Sequence, residues 1–455
     1  MDHTNQNIID IKKIINLGEL RRMEKIIKKI EDKTAVVGVV GLGYVGLPMA
    51  VTVARKGYKV IGVDVSEYAV IHVNAGDNYI GDVDDAELKA LVEKGLLKAT
   101  YDYAEMKEAD VIMIAVPTPL DKYQQPDSSY VRSSVDSLAE NVSKETLIIL
   151  ESTTYPGTTE EIVAPAFEEK GFTVGEDIFV AFSPERVDPG NKDYKTNNTP
   201  KVVGGMTANC NKISEVFYNS ILDAPIHLVP TPAIAEMEKI YENTFRNINI
   251  ALANEMTILC EKMNIDVWEV IEAAKTKPYG FMAFYPGPGI GGHCIPLDPF
   301  YLTWKAREYG YHTRLIELAG EINNEMPQFV ITKLMRLLNE KGLALSKSKI
   351  LLLGAAYKKD IEDMRESPVQ DLIVLLEKNG AQFDYNDPHV PTFHNELNDK
   401  HYKSVGLENI EKYDAVIIVT NHTAYNYDDI VNRSKLVLDT RFACNGMKAD
   451  NLVRM

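Results

Sequence analysis

Short apolar runs alternate along this chain with longer mixed segments. AVVGVV (35–40), KVIGVD (59–64), DVIMIAV (110–116), TLIILES (146–152) and DIFVAFSP (177–184) are continuous and β-branched, the pattern of strands buried on both faces. Segments of helical periodicity separate them, which predicts parallel strands of a doubly wound α/β sheet. KVVGG (201–205) and APIHLV (224–229) add two further strands. Residues 233–263 contain no proline or glycine and predict one helix, roughly 45 Å long. Along it Lys239, Asn243 and Asn247 fall at i, i+4 and i+8, a polar stripe among Ile240, Phe245, Ile248 and Leu252. A solvated face would explain that stripe; so would the wall of a polar pocket, which suits asparagines better than charges.

The strand pattern resumes with KILLLGAA (349–356). A helix follows, with Ser367 as its N-cap and Pro368 at its first position, and then QFDYNDP, DAVIIVTNH and KLVLDTR. These make a second doubly wound domain.

The turn after the first run decides what the first domain holds. AVVGVV leads into Gly41-Leu42-Gly43-Tyr44-Val45-Gly46, a helical pattern follows to Gly57, and KVIGVD ends in Asp64. Gly41 allows the tight turn, Gly43 lets backbone N–H groups approach a pyrophosphate, and Gly46 lets helix and strand pack closely. Asp64 would accept hydrogen bonds from ribose hydroxyls, which favours NAD over a 2′-phosphorylated cofactor. Gly41, Gly43, Tyr44, Val45, Gly46 and Asp64 therefore predict an NAD site. Thr118, Thr153 and Glu185 follow later strand ends, where ligands of such sheets sit. A turn or cap role would explain any one of them. The second domain has no such glycine turn, but Lys358, Arg365 and Arg441 follow its strand ends, as phosphate-binding cations or as solvated surface charges. The fold class predicted is α/β: two Rossmann-like doubly wound domains joined by a long central helix and helical linker domain. The boundaries are 1–33 for an N-terminal helical extension, 34–230, 231–342 and 343–455.

Length and composition narrow this further. A chain of 455 residues makes two or three domains. A net charge of -17 argues against non-specific nucleic-acid binding. Cys210, Cys260, Cys294 and Cys444 are scattered without metal-ligand spacing, the usage of a reducing cytosol, and no metal site is expected. No apolar run approaches a membrane span, and the first residues do not read as a secretory signal, so a cytoplasmic location is expected. Leu20, Met23, Ile27 and Ile30 have helical spacing, which predicts a helix packed on this domain or on a neighbouring subunit, with an amphipathic helix on a membrane as the alternative.

One cysteine stands apart. PGPGIGGHCIPLDPFY (286–301) surrounds Cys294 with four glycines and four prolines and places Asp298 four residues on. Beside an NAD fold, a nucleophilic thiolate suggests oxidation of an aldehyde through a thiohemiacetal to a thioester, with Asp298 orienting the hydrolytic water. A buried packing cysteine is the alternative reading.

The chain resembles the UDP-glucose/GDP-mannose dehydrogenase family over essentially its whole length. GLGYVGLP, VPTP, ESTTYPGTT, SPERVDPGN, EKIYENTFRNINIALANE, GPGIGGHCIPLDP and GAAYKKDIEDMRESP carry the resemblance, in family order. It implies oxidation of C6 of a nucleotide-linked hexose from alcohol to carboxylate with two NAD per substrate. The implied roles are Cys294 as nucleophile, Asp298 with Thr153 activating water, Lys239 and Asn243 stabilising oxyanions, and Glu185 assisting proton movement. Lys358 and Arg441 would hold the UDP portion, Arg365 would reach the cofactor, and the backbone at Gly289 and Gly291 would lie against the sugar.

GGHCIPLDPFYLTWKARE, with His293 and Leu297, resembles the branch acting on UDP-N-acetylhexosamines, especially UDP-N-acetylglucosamine. UDP-glucose and UDP-N-acetylmannosamine are the alternative substrates, and a sensor binding NAD and UDP-sugar without chemistry is the non-enzyme alternative. His293 is a poor base for its neighbour, because adjacent residues of an extended loop point to opposite sides. Ala69 stands where the family often has a basic residue, and Lys275 and Lys277 are the cations upstream of the cysteine. Capsule or O-antigen synthesis and a homodimer or higher homo-oligomer are expected.

Overall fold

The computed structural model describes residues 21–455 except Asp82, Lys122, Pro189, Gly190, Lys192 and His293. The expectations for Leu20 and His293 thus lie outside the described residues. The chain divides into two compact units, Met1–Tyr241 and Glu242–Met455, the division falling within the long helix.

In the first unit, β1 (Val36–Val40), β2 (Lys59–Val63), β3 (Leu97–Thr100), β4 (Val111–Ile114), β5 (Thr146–Leu150), β6 (Ile178–Phe182), β7 (Lys201–Gly205) and β8 (Ile226–Val229) form one sheet. Their order is β3-β2-β1-β4-β5-β6-β7-β8. The first six are parallel, with Val37 of β1 opposite Val60 and Val111. Strand order reverses at β1 and β4, which places the binding crevice beyond their carboxyl ends. β7 runs antiparallel to β6, an orientation the sequence leaves open, and β8 is parallel to β7. The reason lies in the connection. A parallel return needs a crossover of a dozen or more residues, usually helical, and the described part of 183–200 has no helix.

Residues 21–31 are helical and pack on this unit as expected. Ile26 and Ile30 are fully buried in its core, Met23 and Ile27 pack against it, and the Tyr58 hydroxyl donates to the Ile30 carbonyl at 2.8 Å. Lys25 and Lys29 pair with Glu145 and Asp110 on the same unit.

In the second unit, β9 (Lys349–Leu353), β10 (Gln382–Asn386), β13 (Ala415–Ile418), β14 (Val437–Asp439) and β15 (Leu452–Arg454) form a parallel sheet ordered β10-β9-β13-β14-β15. β11 (Thr392–Asn395) and β12 (Lys400–Lys403) form a separate antiparallel ribbon. The alternation of β9 shows both sheet faces covered. Ile350 and Leu352 pack with Val330, Leu334 and Leu338 of helix Arg314–Glu340, whereas Leu351 and Leu353 pack with Ile430 and Val431 on the opposite face. Helix Pro368–Lys378 begins where the sequence places it, Ser367 accepting from the Val369 amide. No described helix is long and apolar enough to cross a membrane.

The helix Pro232–Met263 keeps the predicted span, but its polar stripe is buried rather than solvated. In the first unit Glu236 accepts from the amides of Gly157 and Thr159 and from the Thr159 hydroxyl, at 2.6, 2.9 and 2.7 Å. In the second, Asn243 donates to Asp298, Asn247 donates to the Ile295 carbonyl, and Asn254 donates to Asn323 while accepting from the Gly287 amide.

The Asn247 bond repairs a specific defect. The segment read as a loop around Cys294 continues as helix Cys294–Ala306, which contains Pro299. Proline has no N–H to give to the carbonyl four residues earlier, that of Ile295. Asn247 Nδ2 supplies the missing donor at 3.0 Å.

Two stability predictions follow from this packing. Ile30→Ala should lower the first unit's unfolding free energy by about 2–4 kcal/mol in denaturant titration, as large-to-small core changes do; an unchanged midpoint would show that residues 21–31 do not belong to its core. Asn247→Leu should cost about 1–3 kcal/mol by stranding the Ile295 carbonyl. Adding Pro299→Ala, which restores the backbone donor, should recover much of that loss, and strictly additive effects would refute the account.

Candidate active site

At the carboxyl end of β1 the glycines occupy the positions the fingerprint requires. Gly41 has φ +88°, and a Cβ there would come within 2.5 Å of the Ala115 carbonyl oxygen. A Cβ at Gly46 would meet the Gly41 carbonyl oxygen at 1.8 Å, so the helix start at Gly46 sits directly on the turn. A Cβ at Gly43 would meet nothing within 4 Å, which leaves its backbone open to an approaching ligand. The helix Gly46–Arg55, entered through Val45, carries no side-chain cap, so its N-terminal amides and dipole are presented to an anion. Asp64 closes the turn, accepting from the Leu42 amide at 2.7 Å and the Ser66 amide at 2.8 Å. Tyr44 is half exposed in the turn, and Thr118 is buried beyond the end of β4. This cradle fits a dinucleotide: open backbone at the pyrophosphate position and a carboxylate at the end of β2. Ala69 is buried in the helix capped by Ser66.

Beyond β5 and β6 lies a charged group that the sequence reading only half located. Thr153 is partly buried in the loop after β5. Glu185 accepts from the amides of Arg186 and Val187 at 2.8 and 2.7 Å and pairs with Lys201 at 3.4 Å. Lys201 opens β7 and is itself buried. It also binds Glu151 at 3.1 Å and the Pro184 carbonyl at 3.1 Å, and Tyr218 donates to the same Glu151 oxygen. Burial tends to raise the Glu185 carboxyl, but the Lys201 charge, the Val187 amide and the Lys239 charge outweigh it and hold the group below the usual carboxylate range. Burial drives the Glu151 carboxyl the other way, upward, against the pull of Lys201. Neither Lys201 nor Glu151 was singled out from the sequence. The signal was present as a lysine heading the otherwise buried strand KVVGG.

In the second unit, Cys294 is the first residue of its helix and is exposed, while Cys210 and Cys444 are buried and burial raises both thiols. A helix N-terminus favours an anion, the setting in which a cysteine works as thiolate. Asp298, one turn on, is fully buried and accepts from Asn243 Nδ2 at 2.6 Å. Lys239 and Asn243 lie one turn apart on the long helix, 8% and 4% exposed. Lys275 pairs with Glu272 and Tyr285 at the surface, and Lys277 lies over the Tyr279 ring.

The glycine-rich loop has a packing reason within this unit. A Cβ at Gly291 would strike Tyr357 at 2.4 Å, one at Gly289, where φ is +140°, would press on Pro368, and one at Gly287 would meet the Arg441 guanidinium at 2.4 Å. The loop therefore lies against the turn after β9 and the end of β14. There Arg441 donates to the Val419 carbonyl at 2.8 Å, and burial lowers its guanidinium to about 10. Arg365 is held by Asp363, at 2.6 Å from Nη2, and its carbonyl accepts from the Gly292 amide. Lys358 is half buried after β9. Asp360, His389 and His422 cluster nearby with metal-ligand donors within reach of one another. Both His422 ring nitrogens are already engaged, Nε2 with Asp387 at 2.9 Å and Nδ1 with the Asp360 amide at 2.9 Å, so the cluster ties loops together.

The comparisons with known proteins agree with this geometry. The sequence matches the UDP-glucose/GDP-mannose dehydrogenase family in three parts: the NAD binding domain at residues 35–222, the central domain at 233–325 and the UDP binding domain at 351–446. It is 35% identical to UDP-N-acetyl-D-glucosamine 6-dehydrogenase of Pseudomonas aeruginosa, over 88% of this chain and 93% of that one. It is 36% identical to the protein CapL of Staphylococcus aureus, over 88% and 93%. The structure of a UDP-D-ManNAc dehydrogenase from Pyrococcus horikoshii superposes with a TM-score of 0.84 at 32% identity, covering 92% of this chain and 98% of the other. With a dinucleotide cradle in one sheet and an exposed helix-terminal cysteine beside a buried carboxylate, the chain belongs to the UDP-glucose/GDP-mannose dehydrogenase family and is an NAD-dependent nucleotide-sugar dehydrogenase.

Proposed function

We propose that the protein oxidises C6 of a UDP-N-acetylhexosamine, UDP-N-acetylglucosamine in the first place, from alcohol to carboxylate through a covalent bond to Cys294. The observation that carries the reading is the exposed Cys294 at a helix N-terminus, one turn before a buried Asp298 held by Asn243. Gly41, Gly43, Tyr44, Val45, Gly46, Asp64, Thr118 and Arg365 would hold NAD, which would supply the hydride acceptor for each of two oxidations.

The chain's own residues do the rest. The Cys294 thiolate adds to the C6 aldehyde, forming the C–S bond of a thiohemiacetal. Oxidation of that adduct leaves a thioester. Water, oriented by Asp298 and Thr153, attacks the thioester carbon, the C–S bond breaks, and the carboxylate departs with the thiolate restored. Asn243 keeps a second amide hydrogen beyond the one given to Asp298, and with Lys239 it stabilises the tetrahedral oxyanions. Glu185 assists proton movement as a carboxylate. Lys358, Arg441 and the backbone at Gly289 and Gly291 hold the UDP-sugar. In this reading residues 34–230 carry NAD, 231–342 carry the cysteine loop and 343–455 hold the nucleotide. The UDP-N-acetylglucosamine branch is supported by GGHCIPLDPFYLTWKARE and by the Pseudomonas aeruginosa relative's own substrate. UDP-N-acetylmannosamine is the second reading, supported by the Pyrococcus horikoshii structure. We place the reaction in the cytoplasm, supplying a uronic acid to capsule or O-antigen synthesis.

The same helix supports a homodimer. Phe245, Leu252, Met256, Leu259 and Met263 are all exposed, at the three-, four- and seven-residue spacing of a helix-packing stripe, and a second copy would cover them.

Limiting UDP-N-acetylglucosamine should release two NADH per sugar, with UDP-glucose idle and UDP-N-acetylmannosamine slower. Cys294→Ala should abolish release while UDP-sugar binding persists; unchanged turnover in that variant would refute the covalent route. Light scattering at micromolar concentration should give a dimer mass, and Leu252→Asp with Leu259→Asp should yield monomers; a monomeric wild type would refute the interface.

A further inference from the structure

We infer that Lys201 is a positioning residue for the reaction: its buried ammonium, shared with Glu151, fixes the orientation and the charge of the Glu185 carboxylate. The inference rests on the proposed place of Glu185 in the reaction site, and the experiments below separate the two.

Lys201 heads β7 with only 4% of its side chain exposed, and the Glu151 side chain is 0% exposed. A lysine so placed must be paired, because an isolated buried charge is prohibitively costly. Glu151 alone would satisfy that need, and it already has a second donor in Tyr218. Yet the ammonium spans further, to the Pro184 carbonyl at 3.1 Å and to Glu185 at 3.4 Å, so it anchors the loop after β6 at two successive residues. The other Glu185 oxygen is pinned by the amides of Arg186 and Val187. The carboxylate thus has a fixed orientation, with one oxygen on the backbone and one on the buried cation.

Among the described residues, charged or titratable groups face Glu185 from several elements. Lys201 faces it from β7, Glu151 from the end of β5, Tyr218 from helix Ala208–Ile221, and Lys239 from the long helix. The neighbouring Arg186 guanidinium is committed to Glu238 at 3.3 Å. Lys201 and Lys239 are the cations that oppose burial at Glu185, and Lys201 is the one in contact with it. Without Lys201, burial and the adjacent Glu151 would act together to protonate Glu185.

The test is the pH dependence of kcat/KM for NADH production by the full-length enzyme, using the UDP-sugar turned over best. Wild type should show no acid limb from Glu185 in the neutral range. Lys201→Met should acquire one, displaced upward by at least about one pH unit, a tenfold change in the proton equilibrium. Lys201→Arg, which keeps the charge, should restore the wild-type profile. Glu151→Gln removes the competing carboxylate and should leave the limb unmoved or lower it. If Glu185→Gln is impaired but Lys201→Met keeps the wild-type profile, the inference about Lys201 fails while the role of Glu185 stands. If Glu185→Gln turns over normally, the role of Glu185 fails and the inference with it. An upward shift in Glu151→Gln as well would mean general damage to the loop and would also overturn the inference. Should Lys201→Met not fold, the Lys201→Arg and Glu151→Gln profiles carry the test.

Discussion

A buried polar atom without a partner costs about 1–3 kcal/mol, and the long helix buries a row of them. Within each unit, neighbouring segments satisfy members of that row. In the first unit Glu236 collects the amides at Gly157 and Thr159, and so fixes the loop after β5 that also carries Thr153. In the second unit Asn243, Asn247 and Asn254 each secure a different piece: the Asp298 carboxylate, the defective turn of the cysteine helix, and the glycine loop through the Gly287 amide. A leucine at any of these positions would leave the group it holds without that hydrogen bond. Within each unit the helix holds a neighbouring segment by hydrogen bonds.

Cys294 illustrates how two unfavourable choices support one another. Pro299 breaks the backbone ladder of its helix, and the glycines before it cost conformational entropy on folding. Asn247 repairs the first, and close packing on Tyr357 and Pro368 holds the second in place. The outcome is a helix whose first residue is an exposed cysteine.

Much of the fold could be read from the sequence because parallel strands buried on both faces are continuous apolar runs. The strands at 201–205 and within 349–356 fall where those runs are. Leu97–Thr100, Leu452–Arg454 and the ribbon of β11 and β12 went unread, being short and partly exposed, so that no periodicity distinguishes them from loops. The site shows the same division. The glycine turn and Asp64 were legible because their spacing is imposed by one ligand. The task of Asn247 was not, because its partner is a main-chain carbonyl 48 residues away that lacks a donor only once Pro299 is helical. Lys201 was read merely as the start of a strand, since pairing with Glu151 and Glu185 depends on strand order.

Glu236, which is buried, and Glu185, which is partly buried, show why strand order matters for charge. Glu236 and Glu185 both receive backbone amides, yet their acidities part. Glu236 has only neutral donors, and burial carries its carboxyl up to about 7. Glu185 meets the same opposing burial but faces Lys201 and Lys239, and it is held below the ordinary range. Hydrogen bonds fix where a buried carboxyl sits; a full charge decides whether it remains ionised. β7 brings that charge, and it does so because the chain returns antiparallel beside β6, setting the first residue of β7 near the loop that follows β6. The departure from the parallel pattern is therefore tied to the electrostatics of the candidate site: a parallel β7 would have presented its last residue there, a glycine, in place of the lysine.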